Sequence, residues 1–427
     1  MKYLPALAVV CLLFVPPVAV AQQISPNPNP SGNTITVDTN NAENNVQFTN
    51  DGTIDVTGSG TLYNNGMLTN TYGPLTISGI LNNPGTLYND GRLTNKEDGE
   101  LNNNGTLYNR GSLDNSGRLD ISGSLYNEEF GVLTNYTSGT LTNDGTLTND
   151  GGTLNNDGGF TNTSTVNNAG EIYTRKDGTF VNQQFIDNQS GAVWNNTGPF
   201  ENQGTVTNDG RLTNGGTFDN KEFSLFNNKQ GSELINTGTF TNEGTLNNLG
   251  DIYTQTGTFT TTATGQVNGN GTIHGNHTDY GVTSPGEGVG VMTIDGDYFK
   301  VAGSKEIELG GRFDGGVDKS LTEHDWLDVT GNVELAGTLT VSLFGGFNLH
   351  RGNEFNFLRV GGTLSGQYDG LGDGDLVGNF GGQDLFITYG GGDGNDVVLF
   401  TNAVPEPTTV LIWSMLAGVG VTVRRRR

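Results

Sequence analysis

The stretch Gly105-Thr106-Leu107-Tyr108-Asn109-Arg110-Gly111-Ser112-Leu113-Asp114-Asn115-Ser116-Gly117-Arg118-Leu119-Asp120-Ile121-Ser122-Gly123-Ser124-Leu125-Tyr126-Asn127 decides the fold. A leucine returns every six residues, in a hexad of the form G-T-L-x-N-x. That period does not fit the 3.6-residue repeat of a helix, but it suits a short strand followed by a turn. Outward from this stretch the apolar position runs back through Leu101, Leu93, Leu87, Leu81, Leu75 and Leu68 to Leu62. It runs forward through Leu133, Leu141, Leu147, Leu154, Phe160 and Val166 to Ile172. Longer gaps hold polar inserts such as Lys96-Glu97-Asp98 and Glu128-Glu129-Phe130.

Side chains alternate across a strand, so Leu62 and Asn64 face the same way while Tyr63 faces the other. Asn65-Gly66 is a turn signal. Each hexad is then one strand and one corner, and about three hexads close a coil of a parallel β-helix. Stacked coils place leucine over leucine and asparagine over asparagine at about 4.8 Å. Asparagine amides in such a stack bond one another, which explains a polar residue at an inward position in every repeat. A longer duplication lies on top: Gly158-Gly159-Phe160-Thr161-Asn162 through Thr174 recurs as Gly238-Thr239-Phe240-Thr241-Asn242 through Thr254. Whole groups of coils are thus expected to have been copied. The L-x-N chemistry with ragged insertions resembles the β-solenoids of haemagglutinin-type adhesins and autotransporter passengers.

The expected organisation is all-β. A signal peptide (1–21) and a Pro/Asn-rich lead (22–50) precede a repeat solenoid (51–277), a C-terminal β capping subdomain (278–402) and a tail (403–427). The capping subdomain rests on alternating strands with larger aromatics, such as Asp325-Trp326-Leu327-Asp328-Val329. A solenoid end needs an atypical cover. At the N-terminus, Lys2, the apolar run Leu4 to Val15 and Ala19-Val20-Ala21 before Gln22 read as an export signal with its cleavage site. The one cysteine, Cys11, lies inside that run, so the expected mature chain has no disulfide or thiolate chemistry.

At the other end, Val404-Pro405-Glu406-Pro407 is followed by an apolar segment, 408–423, and then by Arg424, Arg425, Arg426 and Arg427. The apolar segment is short against the roughly 20 residues of a usual membrane helix, and the arginines would stay on the cytoplasmic side. This tripartite tail resembles the PEP-CTERM sorting signal of Gram-negative bacteria. The resemblance covers only the last residues of the chain. It implies recognition by an exosortase, transient anchoring in the inner membrane and delivery to the envelope, outer surface or exopolysaccharide matrix.

With 68 glycines, 33% hydrophobic residues and a formal charge of -25, the chain is poor material for a conventional core. Its negative field excludes nucleic acid as a partner. Signal peptidase, exosortase and surface glycans are the expected partners. Candidate chemistry is sparse. Gly391-Gly392-Asp393-Gly394-Asn395-Asp396-Val397-Val398-Leu399 matches the nonapeptide of calcium-binding β-rolls, with Asp393, Asn395 and Asp396 as possible ligands. A single copy reads better as a Gly/Asp-rich turn before a final strand, because each ion in such rolls sits between tandem copies. No other metal or cofactor site is expected. His274 and His277 read as exposed histidines on a Gly/Asn loop.

Acids such as Asp90, Asp144, Asp150 and Asp209 fall in turns and form no catalytic set, so no enzyme is expected. The leading expectation is a structural or adhesive surface protein, with Tyr63, Tyr88, Tyr108 and Tyr126 as candidates for stacking on sugars. The rivals are a polysaccharide-degrading β-helix enzyme and an ice-binding solenoid. The second would use an outward file of Thr61, Thr86, Thr106, Thr140 and Thr146.

Overall fold

The computed structural model describes residues 21–39 and 41–402. The signal segment up to Ala19, the sorting motif Val404 to Pro407, the apolar run 408–423 and the terminal arginines lie outside the described residues. Among the described residues no helix is long and apolar enough to cross a membrane.

The chain winds into a parallel β-solenoid of about 14 turns. A typical coil has three strands, mostly of four residues, one on each of three faces. Thr61–Asn64 lies on the first face, Met67–Asn70 on the second and Pro74–Ile77 on the third. Each strand pairs in parallel with the strand one coil away: Thr86–Asn89 is in exact register with Thr106–Asn109, and that strand with Ser124–Asn127. Phe160 and Phe240 occupy one column, four coils apart through Phe180, Phe200 and Phe218. The two copies of the long duplication therefore lie four whole coils apart.

The inward positions are those expected. Every leucine of the hexad series is buried, as are Phe160, Val166 and Ile172, and so are their asparagine companions. The asparagines form directional ladders. On the second face Asn50 Nδ2 donates to Asn70 Oδ1 at 2.8 Å, Asn70 to Asn89 at 2.8 Å, and Asn89 to Asn109 at 2.8 Å. The series continues through Asn127, Asn149, Asn168, Asn188, Asn208 and Asn228 to Asn248. The second amide hydrogen commonly reaches a backbone carbonyl, as Asn89 does to Ser112 O at 2.8 Å. Along this second-face ladder each amide from Asn50 to Asn228 is thus satisfied on both sides without water, which removes the usual cost of burying it.

Glycine is required where corners stack backbone on backbone. A Cβ on Gly105 would meet the Gly85 carbonyl oxygen at 2.1 Å, and one on Gly123 would meet that of Gly105 at 2.0 Å.

Two features differ from the sequence reading. The Pro/Asn-rich lead already takes part in the coil: Thr34–Val37 pairs with Thr53–Val56, and the Asn29 side chain donates to Asn50 Oδ1 at 2.7 Å. The change of composition near residue 278 is also not a change of ladder. Parallel pairing continues through Tyr298–Lys300 and Val333–Leu335 to Leu364–Gly366. Larger residues alter what fills the interior, while backbone stacking continues unchanged. Antiparallel strand pairs form at the end, where Leu376–Phe380 runs against Gln383–Gly391, and Asp396–Thr401 runs against both Glu354–Val360 and Gln383–Gly391. These strands turn the chain back at the C-terminal end of the described residues.

Candidate functional site

The outer wall of the third face changes character in its last coils. Asp251–Tyr253, Thr272–His274, Val291–Asp295 and Trp326–Val329 stack in that order. Their outward side chains line up across four coils. Tyr253 lies flat on the His274 ring, with centroids 4.5 Å apart and planes 7° apart. His274 stands between two carboxylates, with Nε2 3.5 Å from Asp251 Oδ1 and Nδ1 3.4 Å from Asp295 Oδ2. Asp295 also accepts the Thr330 hydroxyl at 2.9 Å. That bond first, and His274 second, hold its carboxyl below the ordinary value.

Beside this column runs a groove of about 650 Å³, lined by Asn270, Thr272, Glu287, Thr293 and Lys319 among others. It follows the corner between the second and third faces. The long corner 310–325, which carries the short 3₁₀ turn Lys319–Leu321, encloses one side. Glu323 braces that corner by accepting the Arg312 and Phe313 amides, each at 3.1 Å. Lys319 is tied to Asp328, and its Nζ lies 3.4 Å from the Thr293 hydroxyl. The groove therefore combines hydroxyls, the amides of Gln230 and Asn270, one free carboxylate side chain and a lysine with the apolar side chains of Leu249, Val289 and Val291, next to an aromatic–histidine stack. An open trough that mixes hydrogen-bonding groups with apolar wall suits a ligand with hydroxyl edges and apolar faces.

Behind the same coils the interior holds titratable groups. The columns of phenylalanine and asparagine on the first face give way to His277, Asp279, Tyr298 and Lys300, all fully buried. His277 stacks on Phe259 at 4.5 Å and its Nε2 lies 2.9 Å from the Thr261 hydroxyl. Burial pushes its pKa down to about 4. Lys305 is buried with no partner for its Nζ, and burial lowers it to about 7. Asp325, whose oxygens accept the Gly290 and Glu308 amides at 2.7 and 2.8 Å, is pushed up to about 8 by burial.

Several sequence expectations are corrected here. His277 is a core residue and His274 an outward strand residue, not two exposed loop histidines, because the strands Thr272–His274 and His277–Asp279 place them on different faces. The sugar-stacking tyrosines do not form one platform. Tyr63 belongs to the first face, while Tyr88, Tyr108 and Tyr126 stack on each other on the second at 4.9 and 5.1 Å. Arg110 lies 5.3 Å from the Tyr88 ring centre. Their ring faces cover one another, so the ladder offers mainly edges and hydroxyls.

The threonines of the ice-binding reading are split. Thr86, Thr106 and Thr146 stand on the second face with Ser124 between them, and Thr61 and Thr140 stand on the first. The neighbouring outward column on the second face holds the tyrosines.

The nonapeptide residues do not converge. Asp396 accepts the Val360 amide at 2.9 Å and the Asn356 amide at 2.7 Å, and the Asn395 side chain donates to Gly362 O at 2.5 Å. These bonds tie the final strand to the last coil. Among the described residues no group of three or more His, Cys, Asp or Glu is placed to hold a metal ion. Ala21 and Gln22, beside the expected cleavage point, open the described part of the chain, and Gln22–Gln23 pairs with Ala42–Asn44.

Fold and site together define a class: a polar-cored parallel β-solenoid with a lateral groove near its C-terminal end. The chain matches no protein-family model and no curated protein.

Proposed function

We propose that this chain is an exported structural or adhesive protein of a bacterial surface or exopolysaccharide matrix, released through its PEP-CTERM-like tail, and that it grips polysaccharide along the lateral groove. The observation that carries the reading is the groove itself. It is open, draws Gln230, Leu249, Asn270 and Glu287 from successive coils along the solenoid axis, mixes polar and apolar wall, and lies beside the Tyr253–His274 stack. A rigid solenoid supports such a role because it holds contacts from successive coils at fixed spacing, so a chain ligand meets them without an ordering cost. Signal peptidase and exosortase are the proposed processing partners.

The alternative is a polysaccharide-degrading enzyme, and one observation favours it: Asp251, His274 and Asp295 form a carboxylate–imidazole–carboxylate row beside the groove. Retention of the processed protein on matrix polysaccharide tests both readings. Saturable retention that Thr272→Trp abolishes, with the β-rich circular dichroism unchanged, supports the groove. Retention indifferent to that change removes the groove from the reading. Shortening of the glycan supports the enzyme, and thermal hysteresis would turn the reading to ice binding.

A further inference from the structure

We infer that Asp279 and Lys300 condense after folding into an intramolecular amide that staples two successive coils. The two residues face each other on adjacent parallel strands, in the column that asparagine fills through Asn220 and Asn242. Lys300 Nζ lies 2.7 Å from Asp279 Oδ2, and neither side chain has any exposed surface.

The surroundings are arranged for acyl transfer. Asp279 Oδ1 accepts the Gly281 amide at 2.9 Å, a backbone donor at the oxygen where negative charge would develop. Oδ2 accepts the Tyr298 hydroxyl at 2.8 Å and the Thr283 hydroxyl, so the departing oxygen is met by two proton-bearing groups. Gly281 O holds the amine at 2.6 Å. Nucleophile and carboxyl are thus fixed in contact, with no freedom left to lose.

The step needs no co-reactant. The ammonium passes one proton to the carboxylate, giving a free amine and a carboxylic acid. The amine attacks Cγ and the Nζ–Cγ bond forms. The Cγ–Oδ2 bond breaks, and Oδ2 leaves as water with a second proton from the nitrogen. In water the separated ions would be favoured by solvation. In this interior both are stripped of it, and a buried ion pair recovers that loss poorly. The product is neutral, and it carries at this rung the same group that every asparagine rung carries. It keeps a carbonyl for the Gly281 amide and an N–H for the Gly281 carbonyl.

Mass spectrometry of the full chain, denatured and digested with trypsin, tests this. No Lys or Arg lies between Lys229 and Lys300. An unlinked chain therefore gives peptides 230–300 and 301–305. A linked chain resists cleavage after Lys300 and gives one peptide, 230–305, lighter than its sequence by one water, with fragmentation joining Asp279 to Lys300. Recovery of 230–300 at full mass from the native protein would overturn the proposal. Lys300→Arg keeps the buried charge but offers no condensing amine, so 230–300 should reappear at full mass. A water-deficient 230–300 from that variant would assign the loss to other chemistry and also overturn the proposal.

Discussion

Thr174 occupies a rung that asparagine holds in the coils on either side, Asn156 and Asn196. The consequence follows from the ladder's direction. Each amide donates toward the C-terminal end, so an interruption leaves the next rung's oxygen unmatched. Asn196 Oδ1 is orphaned after Thr174, Asn95 Oδ1 after Ile77, and Asn143 Oδ1 after Ile121. Thr174→Asn should restore both bonds and raise stability by about 1–2 kcal/mol, read as a higher denaturant midpoint. A lower midpoint would mean that the ladder is not the unit of stability.

His277 gives a pH-dependent counterpart. Its folded pKa is about 4 against 6.5 for the ordinary imidazole. Between these values the unfolded chain binds the extra proton, so this residue's contribution falls as pH drops through the window. His277→Phe continues the Phe240–Phe259 column and cannot titrate. Its stability relative to the wild type should rise by about 3 kcal/mol as pH falls from 6.5 to 4. A difference independent of pH would show that the imidazole is not held neutral.

Strands and corners obey separate constraints. In Thr146–Asn149 the inward Leu147 stacks between Leu125 and Val166, and the outward Thr148 lies between Tyr126 and Asn167. Leu147→Asp buries an unpaired charge and should cost several kcal/mol, on the order of 3–5. Thr148→Asp should stay within about 0.5 kcal/mol. Equal effects in thermal melts would refute the facing. At the corners, Gly123→Ala forces a Cβ against the Gly105 carbonyl. It should cost about 1–3 kcal/mol although it adds only a methyl group. Calorimetry showing stabilisation instead would mean that the corners have room to move.

Over the whole molecule, fifteen second-face strands at about 4.8 Å make a rod on the order of 70 Å long before its ends are counted, and small-angle scattering should return an elongated particle. The proposed export reading carries its own outcome. The mature protein should lack 408–427, cut close to Pro407, and changing Pro405 and Glu406 to alanine should hold the uncut chain in the inner membrane. Intact Arg427 in the surface fraction, by mass spectrometry, would reduce the tail to a plain anchor.

The sequence by itself determined the coil. A six-residue period with leucine and asparagine two apart has one economical solution, in which both face inward and like stacks on like. This follows from strand alternation alone, and it turns Leu62 and Asn64 to the inside, where both are fully buried. What only the tertiary structure decided is which coil lies beside which residue. Coils differ in length, with ladder partners from 18 residues apart (Asn109 and Asn127) to 22 (Asn127 and Asn149). Small insertions therefore accumulate, and columns cannot be followed by counting. Tyr63 lies on a different face from Tyr88 because the two are four strands apart, one more than a full coil. The row of Asp251, His274 and Asp295 and the contact of Asp279 with Lys300 were hidden likewise. Each draws its members from separate coils about twenty residues apart, and only backbone stacking brings them within reach of one another.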